Sequence, residues 1–360
     1  MFLFRGKNFN MKIKHTGKII GNFGTLMDDA LLVVDQYSTI LEFNPACVRL
    51  LGENLKGTQL SNRLLYKNLL SDLTFCLQSS DMIEFTATPK MNEFKQVRGR
   101  MRNYGENVVT ILLMDMTLQH NVEKVRRDFI ANVSHELRSP LTSLLGFIET
   151  MRTDIKMEMI VRENFLKIMD EEANRMSRLI DDLLSLSRVE IEEHIAPTGE
   201  VPLKNVIKAV IHSLENRANA TSHEIHFNDI RSDASNDPII RGELDEITEV
   251  FHNLLDNAFK YSYRASPINI TISDNSSGDL VIDIKNEGDG IDEKHIPRLT
   301  ERFYRVDKGR SRKMGGTGLG LAIVKHIINK HRGQLHIKST PNEETVFSVV
   351  LPYFKKSITF

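Results

Sequence analysis

A chain of 360 residues is longer than one ordinary hydrophobic core supports, so two or three domains are expected. Its 47 basic and 48 acidic side chains leave a formal net charge of −1, which excludes a global field drawing it to nucleic acid. Cys47 and Cys76 are too few for a disulfide framework or a cysteine-rich metal site, and they fit a reducing cytoplasm.

Residues 1–19 carry Arg5, Lys7, Lys12, Lys14 and Lys18 without an acid, beside Phe2, Leu3, Phe4 and Phe9. A frayed, solvated terminus is preferred here over a peripheral contact with an anionic membrane. No run of about 18 apolar residues follows anywhere, so no spanning helix is expected. From 20 to 117 the pattern is mixed. ALLVVDQ and TILEFNP read as strands around a turn at Gln36–Ser38, PACVRLLG as a short helix closed by Gly52, and MIEFTAT and NVVTILLMDMT as further strands. This predicts an antiparallel sheet with small helices on one side.

Residues 118–192 are nearly all helical in pattern. Ile130, Val133, Leu137, Leu141, Leu144, Ile148 and Met151 step by three and four, making one apolar stripe on a helix that ends near Thr153. His135 lies roughly 160° round from the middle of that stripe, so it faces solvent rather than core. Glu136 follows it, Ser139 lies one turn on, and Pro140 removes a backbone donor and is expected to bend the helix. A second helix begins near Glu158, with Phe165, Met169, Ala173, Met176, Ile180 and Leu183 as its stripe. One hairpin cannot cover both stripes, so a four-helix bundle built from two chains is expected.

After a polar link, residues 190–200, helices at Leu203–Ala218 and Asp245–Ser262 alternate with strands at Ile268–Ser273, Leu280–Asn286, Gln334–Ser339 and Thr345–Leu351. That is an α/β sandwich over residues 200–356. His223 and His226 stand near a strand and are read as surface residues rather than metal ligands.

Four segments of this last domain belong together chemically. FHNLLDNAFKYS sets Asn253, Asn257, Lys260 and Tyr261 at steps of four, three and one, which puts two amides and an amine on one helix face. Amide oxygens are hard donors of the kind Mg²⁺ takes, and Lys260 suits a phosphate. IKNEGDGI ends a strand with Gly288 and Gly290, allowing close approach of a flat ring. ERFYRVD places Phe303 and Tyr304 between Arg302 and Arg305. In MGGTGLGLAIVKHI, Gly315, Gly316, Gly318 and Gly320 open a helix whose apolar run begins at Leu319, and Thr317 adds a hydroxyl to an anion site of exposed N–H groups. Each segment alone has a packing explanation; all four in this order are unlike coincidence.

The chain resembles the bacterial sensor histidine kinases of two-component systems, and FIANVSHELRSPLTSLLGFIETMR and IPRLTERFYRVDKGRSRKMGGTGLGLAIVKHI resemble the phosphate-regulon sensors among them. The segment VVDQYSTILEFNPACVRLLG resembles a PAS domain. The resemblance implies a multidomain α+β chain: a basic segment (1–19), a PAS-like α/β sensor domain (20–117), a two-helix dimerisation and phosphotransfer domain (118–192) and an ATP-binding sandwich of the GHKL type (200–356). It implies that His135 accepts the γ-phosphoryl of ATP, that Glu136 orients the imidazole, and that Ser139, where the family usually has threonine, positions a water for dephosphorylation. Asn257 and Asn253 would hold Mg²⁺. Lys260 would touch phosphate, Tyr261 would line the adenine pocket, and Arg305, Gly316, Thr317, Gly318, Leu319 and Gly320 would belong to the ATP site, bounding a lid over residues 306–314. The implied partners are a second copy of the chain and a response regulator whose aspartate takes the phosphoryl group, with input from a sensory complex at the membrane as one source of signal.

Two departures bear on this expectation. Where the family has an adenine-reading aspartate two residues before the first glycine, this chain has Asn286. With Ser139, this motivates an alternative: a degenerate kinase acting as a scaffold or phosphatase of the regulator. A hydrolytic ATPase is disfavoured, because Asn253 stands where such enzymes carry a water-activating glutamate.

Overall fold

Alternating apolar residues build the first sheet. In the computed structural model, which describes residues 24–79, 81–105, 107–154, 157–307, 309 and 316–353 (of 215–221 the backbone alone), β1 (Ala30–Asp35) pairs with β2 (Ile40–Phe43) across the expected turn. Asp35 Oδ1 closes that turn by accepting from the N–H groups of Tyr37 and Thr39 at 2.9 and 2.8 Å. Helix α1 (Pro45–Leu51) follows: Asn44 caps it by accepting from Cys47 N, Pro45 supplies a ready-made φ, and Gly52 at φ +92° stops it. Then come β3 (Leu64–Leu65), α2 (Leu69–Gln78), β4 (Ile83–Pro89), β5 (Val97–Gly105) and β6 (Val108–Asp115). The sheet order is β2-β1-β6-β5-β4-β3, all antiparallel. Its core gathers Leu32, Ile40, Leu51, Leu73, Met101 and Ile111.

Three of these elements were not foreseen, the two-residue β3 among them. In β5 the exposed Arg98, Arg100 and Arg102 interleave with buried Val97, Gly99 and Met101, so the arginines hide a period of two from any search for apolar runs. Gly99 stands where any Cβ would run into the ring of Phe85. Helix α2 is short and closes on Leu69, Leu73 and Cys76.

Helix α3 (Thr117–Thr153) runs unbroken through Pro140, whose ring is buried, and α4 (Met159–Glu192) returns beside it. Phe147 and Phe165 meet near the hairpin end with ring centroids 4.9 Å apart. The hairpin leaves Leu141 and Ile148 of the expected α3 stripe and Ile180 of the expected α4 stripe exposed, together with Leu145, Leu184 and Ile191, which the expected stripes did not include. Among the described residues no helix is long and apolar enough to cross a membrane.

Strand β7 (Glu200–Pro202) and α5 (Leu203–Thr221) open the sandwich, followed by β8 (Ile225–Asp229), β9 (Ile239–Arg241), α6 (Leu244–Tyr261), β10 (Ile268–Asp274), β11 (Leu280–Glu287), α7 (Gly320–Lys330), β12 (Gln334–Thr340) and β13 (Glu344–Leu351). The main sheet runs β12-β13-β11-β10-β8, with β8 parallel to β10 at its edge and the other pairs antiparallel, while β7 and β9 pair separately. Phe251, Leu254 and Leu255 of α6 and Ile323 and Ile327 of α7 bury their faces, as do Ile270, Ile282 and Phe347 of the sheet. One expectation is corrected here. His223 is a core residue, not a surface one: its Nδ1 lies 2.8 Å from Ser266 O and its ring tilts against Phe259 at 5.7 Å.

Helix α4 carries a second stripe that the sequence reading passed over. Leu179, Leu186 and Val189 are buried, and with Asp182 and Glu193 they step by three and four along one face. That face packs on the sandwich through α7. The basic segment 1–19, Gly315 and residues 308 and 310–314 of the expected lid lie outside the described residues.

Candidate active site

The amphipathic pattern of α6 decides which side chains reach solvent. With Phe251, Leu254, Leu255 and Ala258 turned to the core, Asn253, Asn257, Lys260 and Tyr261 fall on the wall of an open cavity of 760 Å³. That volume suits a nucleotide-sized ligand, for which pockets run from about 300 to 1,000 Å³. Asn286 and Gly290 line it from the sheet, and Arg305, Gly316, Thr317, Gly318 and Gly320 from the segment leading into α7. Eleven of the residues singled out from sequence thus meet in one place.

Asn253 Nδ2 donates to Glu249 O at 3.1 Å, which turns its Oδ1 toward α7; a Cβ on Gly320 would come within 2.5 Å of that oxygen. Lys260 Nζ lies 2.5 Å from Asp256 Oδ2. Asn286 is 3% exposed and makes no side-chain hydrogen bond among the described residues, so its amide is held at the cavity wall by packing alone. The two glycines after it serve the backbone more directly than a ligand. A Cβ on Gly288 would strike the carbonyl of Tyr261, and one on Gly290, at φ +64°, would strike that of Thr340. Gly288 and Leu319 flank the cavity rather than line it, and Leu319 is wholly buried.

The arginines of the ERFYRVD segment are not the surface pair that segment would have by default. Arg305 has a side chain only 6% exposed; its Nη2 donates to Thr317 O at 2.7 Å and lies 3.5 Å from Glu136 Oε2. Tyr304 is fixed by a 2.6 Å hydrogen bond with His295 Nδ1 and by Arg298, whose guanidinium sits 4.3 Å from its ring centroid. Thr317 Oγ1 accepts from Leu319 N at 3.3 Å and donates to Asp182 Oδ2 at 2.6 Å.

His135 is exposed on α3, as its position opposite the apolar stripe requires, and so is Ser139. Neither lines the cavity. Glu136 connects the two places: its Oε2 lies 2.9 Å from Arg175 Nη2 of α4 as well as near Arg305.

Sequence reasoning missed the hairpin's share of this site. Arg178 and Asp182 of α4 line the same cavity, as does Glu249 of α6, which Ser185 Oγ meets at 2.8 Å. Burial pushes the Asp182 and Glu249 carboxyls above their ordinary values, against the lowering effect of their hydroxyl partners. At the far end of α4, Arg302 pairs with Glu190 and His326 Nδ1 lies 2.6 Å from Glu193 Oε2. Lys330 Nζ bridges Glu192 and Glu246 at 2.8 and 2.6 Å; burial alone would depress this ammonium, but the two carboxylates hold it above its usual value. The second stripe on α4 was the available signal.

Comparison with known proteins agrees with this geometry. Residues 125–192 match the family model "His Kinase A (phospho-acceptor) domain", and residues 242–355 match "Histidine kinase-, DNA gyrase B-, and HSP90-like ATPase". The phosphate regulon sensor protein PhoR of Pseudomonas aeruginosa is 35% identical over 323 residues, covering 89% of this chain and 71% of that one. The sensor protein kinase WalK of Staphylococcus haemolyticus is 32% identical over 339 residues, with 91% of this chain covered and 54% of the relative. The chain thus spans about half the length of that relative. The crystal structure of histidine kinase ThkA in complex with response regulator protein TrrA shares the fold at a TM-score of 0.50 and 21% identity, covering 90% of this chain and 96% of that one. A motif-bearing histidine helix, a cavity built from the expected asparagines and glycines, and these relatives converge: the chain belongs to the sensor histidine kinases, ATP-dependent enzymes of two-component signalling that phosphorylate themselves on histidine.

Proposed function

We propose that His135 is the phosphoacceptor, that ATP is held in the 760 Å³ cavity, and that the phosphoryl group passes from His135 to an aspartate of a separate response regulator. The observation carrying this is that one side chain, Arg305, both lines the cavity and faces Glu136, the residue after His135. In the transfer an imidazole nitrogen forms a bond to the γ-phosphorus as the oxygen shared with the β-phosphorus leaves with ADP. Glu136 orients the ring and accepts from its other N–H. Asn286 meets the adenine edge, Tyr261 covers the base, and Lys260 and the turn at Gly316–Gly320 face the phosphates.

The donor set fits a hard cation. Asn253 presents Oδ1 because its Nδ2 is engaged, and Asn257 lines the same wall. Among the described residues no group of three His, Cys, Asp or Glu side chains is placed to hold a metal, so amide oxygens and phosphates would supply the ligands of Mg²⁺. When bound, the ion neutralises charge on the phosphate chain.

The exposed stripes of α3 and α4 support a homodimer through a four-helix bundle, with domains at 20–117, 118–192 and 200–356. The six-stranded antiparallel sheet with its small helices supports a PAS-like sensor, whose signal travels along α3, and the likeness to one relative, the phosphate regulon sensor PhoR, supports a role in the response to phosphate. Ser139 positions a water for dephosphorylation of the regulator.

Incubation with γ-labelled ATP tests the core of this. The chain should acquire an acid-labile label that His135→Ala abolishes. Persistence of the label in that variant, or no label in the wild type, refutes it; ATP binding lost with regulator binding intact would instead fit a degenerate scaffold.

A further inference from the structure

We propose that the Asp182 carboxylate is a tethered anion that docks the hairpin onto the glycine-rich turn and competes with the phosphate chain of ATP for the Thr317 hydroxyl. This rests on the cavity being the ATP site. Asp182 sits within the buried stripe of α4, one turn from Leu179 and one from Leu186, so the packing that seats those two leucines also aims the carboxylate into the cavity. There it takes the 2.6 Å hydrogen bond from Thr317, whose own oxygen caps the start of α7 through Leu319 N. A second carboxylate, Glu249, lines the same wall. Two cations line the same cavity and face this carboxylate: Lys260, which is itself paired with Asp256, and Arg178, one turn back along α4.

A triphosphate entering the cavity therefore meets a carboxylate already bonded to the donor it needs. Either the hydrogen bond yields or the phosphate is rejected. Docking and ATP binding oppose one another, and by linkage each weakens the other by the same factor. The opposition has a use. With α4 docked, His135 stands outside the cavity, so transfer requires the sandwich to leave α4. Nucleotide binding would itself drive that release.

Calorimetric titration of the full chain with ATP and with adenosine, which lacks phosphate, separates the possibilities. Asp182→Asn keeps the shape and drops the charge; it should tighten ATP about fivefold and leave adenosine unchanged. Glu193→Gln, at the opposite end of the stripe, removes the carboxylate that His326 meets and should tighten ATP in the same direction by loosening docking from a distance. Unchanged or weaker ATP binding in Asp182→Asn, or equal tightening of adenosine, overturns the competition. Binding of neither ligand to wild type or variants overturns the ATP reading and this proposal with it.

Discussion

Arg175 Nη2 of α4 and Glu136 Oε2 of α3 lie 2.9 Å apart, and that carboxylate belongs to the residue beside His135, the proposed phosphoacceptor. Both side chains are largely buried, at 12% and 16% exposure, and the same oxygen faces Arg305 from the sandwich. Glu136 is thus held by the hairpin while it is offered to the cavity wall.

Arg175→Ala should therefore destabilise the hairpin by about 2 kcal/mol, less than the loss of a fully buried partner and more than that of an exposed pair. Arg175→Lys should recover only part of it, because Arg175 also reaches Glu172 through Nη1 at 3.5 Å and an ammonium cannot fork. Urea unfolding measures both; a Lys variant equal to wild type would show that bidentate geometry is irrelevant here.

Two glycines in helices should respond oppositely to alanine. Gly320→Ala drives a methyl group to 2.5 Å from Asn253 Oδ1 and should weaken ATP binding at least tenfold by displacing that amide. Gly146→Ala, with nothing within 4 Å in α3, should stabilise by up to about 1 kcal/mol. Thermal unfolding and nucleotide titration on both variants check the contrast, and equal ATP affinity in Gly320→Ala would count against Asn253 as a ligand.

Asn286→Asp should tighten ATP. The residue is 3% exposed and lines the cavity, so a carboxylate there would accept from an exocyclic amine more strongly than an amide does. A gain of about tenfold is expected from replacing a neutral acceptor by a charged one. Looser binding by calorimetry would mean that the desolvation cost of the new charge dominates.

His331 gives a pH signature. Its Nε2 accepts from Glu243 N at 3.2 Å and its Nδ1 donates to Ile327 O at 2.8 Å, so the neutral ring satisfies both neighbours. Burial holds this imidazole below its ordinary 6.5. The unfolded chain takes up a proton near that value and the folded chain does not, so stability present above pH 6.5 is lost as pH falls toward the folded value. The raised carboxyls of Asp182 and Glu249 act with the opposite sign, favouring the folded state at low pH, and cancel in a comparison of variants. In His331→Gln, unfolding free energy plotted against pH should lose up to one proton of slope below pH 6.5. An unaltered slope would assign the acid sensitivity elsewhere.

What the sequence determined by itself is local. The hairpin helices, α6, and four strands of the sandwich end within a few residues of where periodicity and turn chemistry put them, because a stripe at steps of three and four, or an alternation of two, is read over a few neighbouring residues. The asparagines, lysine and glycines of the nucleotide motifs could be grouped from order and residue type, and eleven of the singled-out residues do share one cavity. Tertiary structure decided the rest. Thr317 and Asp182 are 135 positions apart, and Arg305 and Glu136 are 169 apart, so no window on the chain couples them. The burial of His223, the basic strand β5, and the second face of α4 follow from which surfaces meet, and that is settled only when whole elements exclude water against one another.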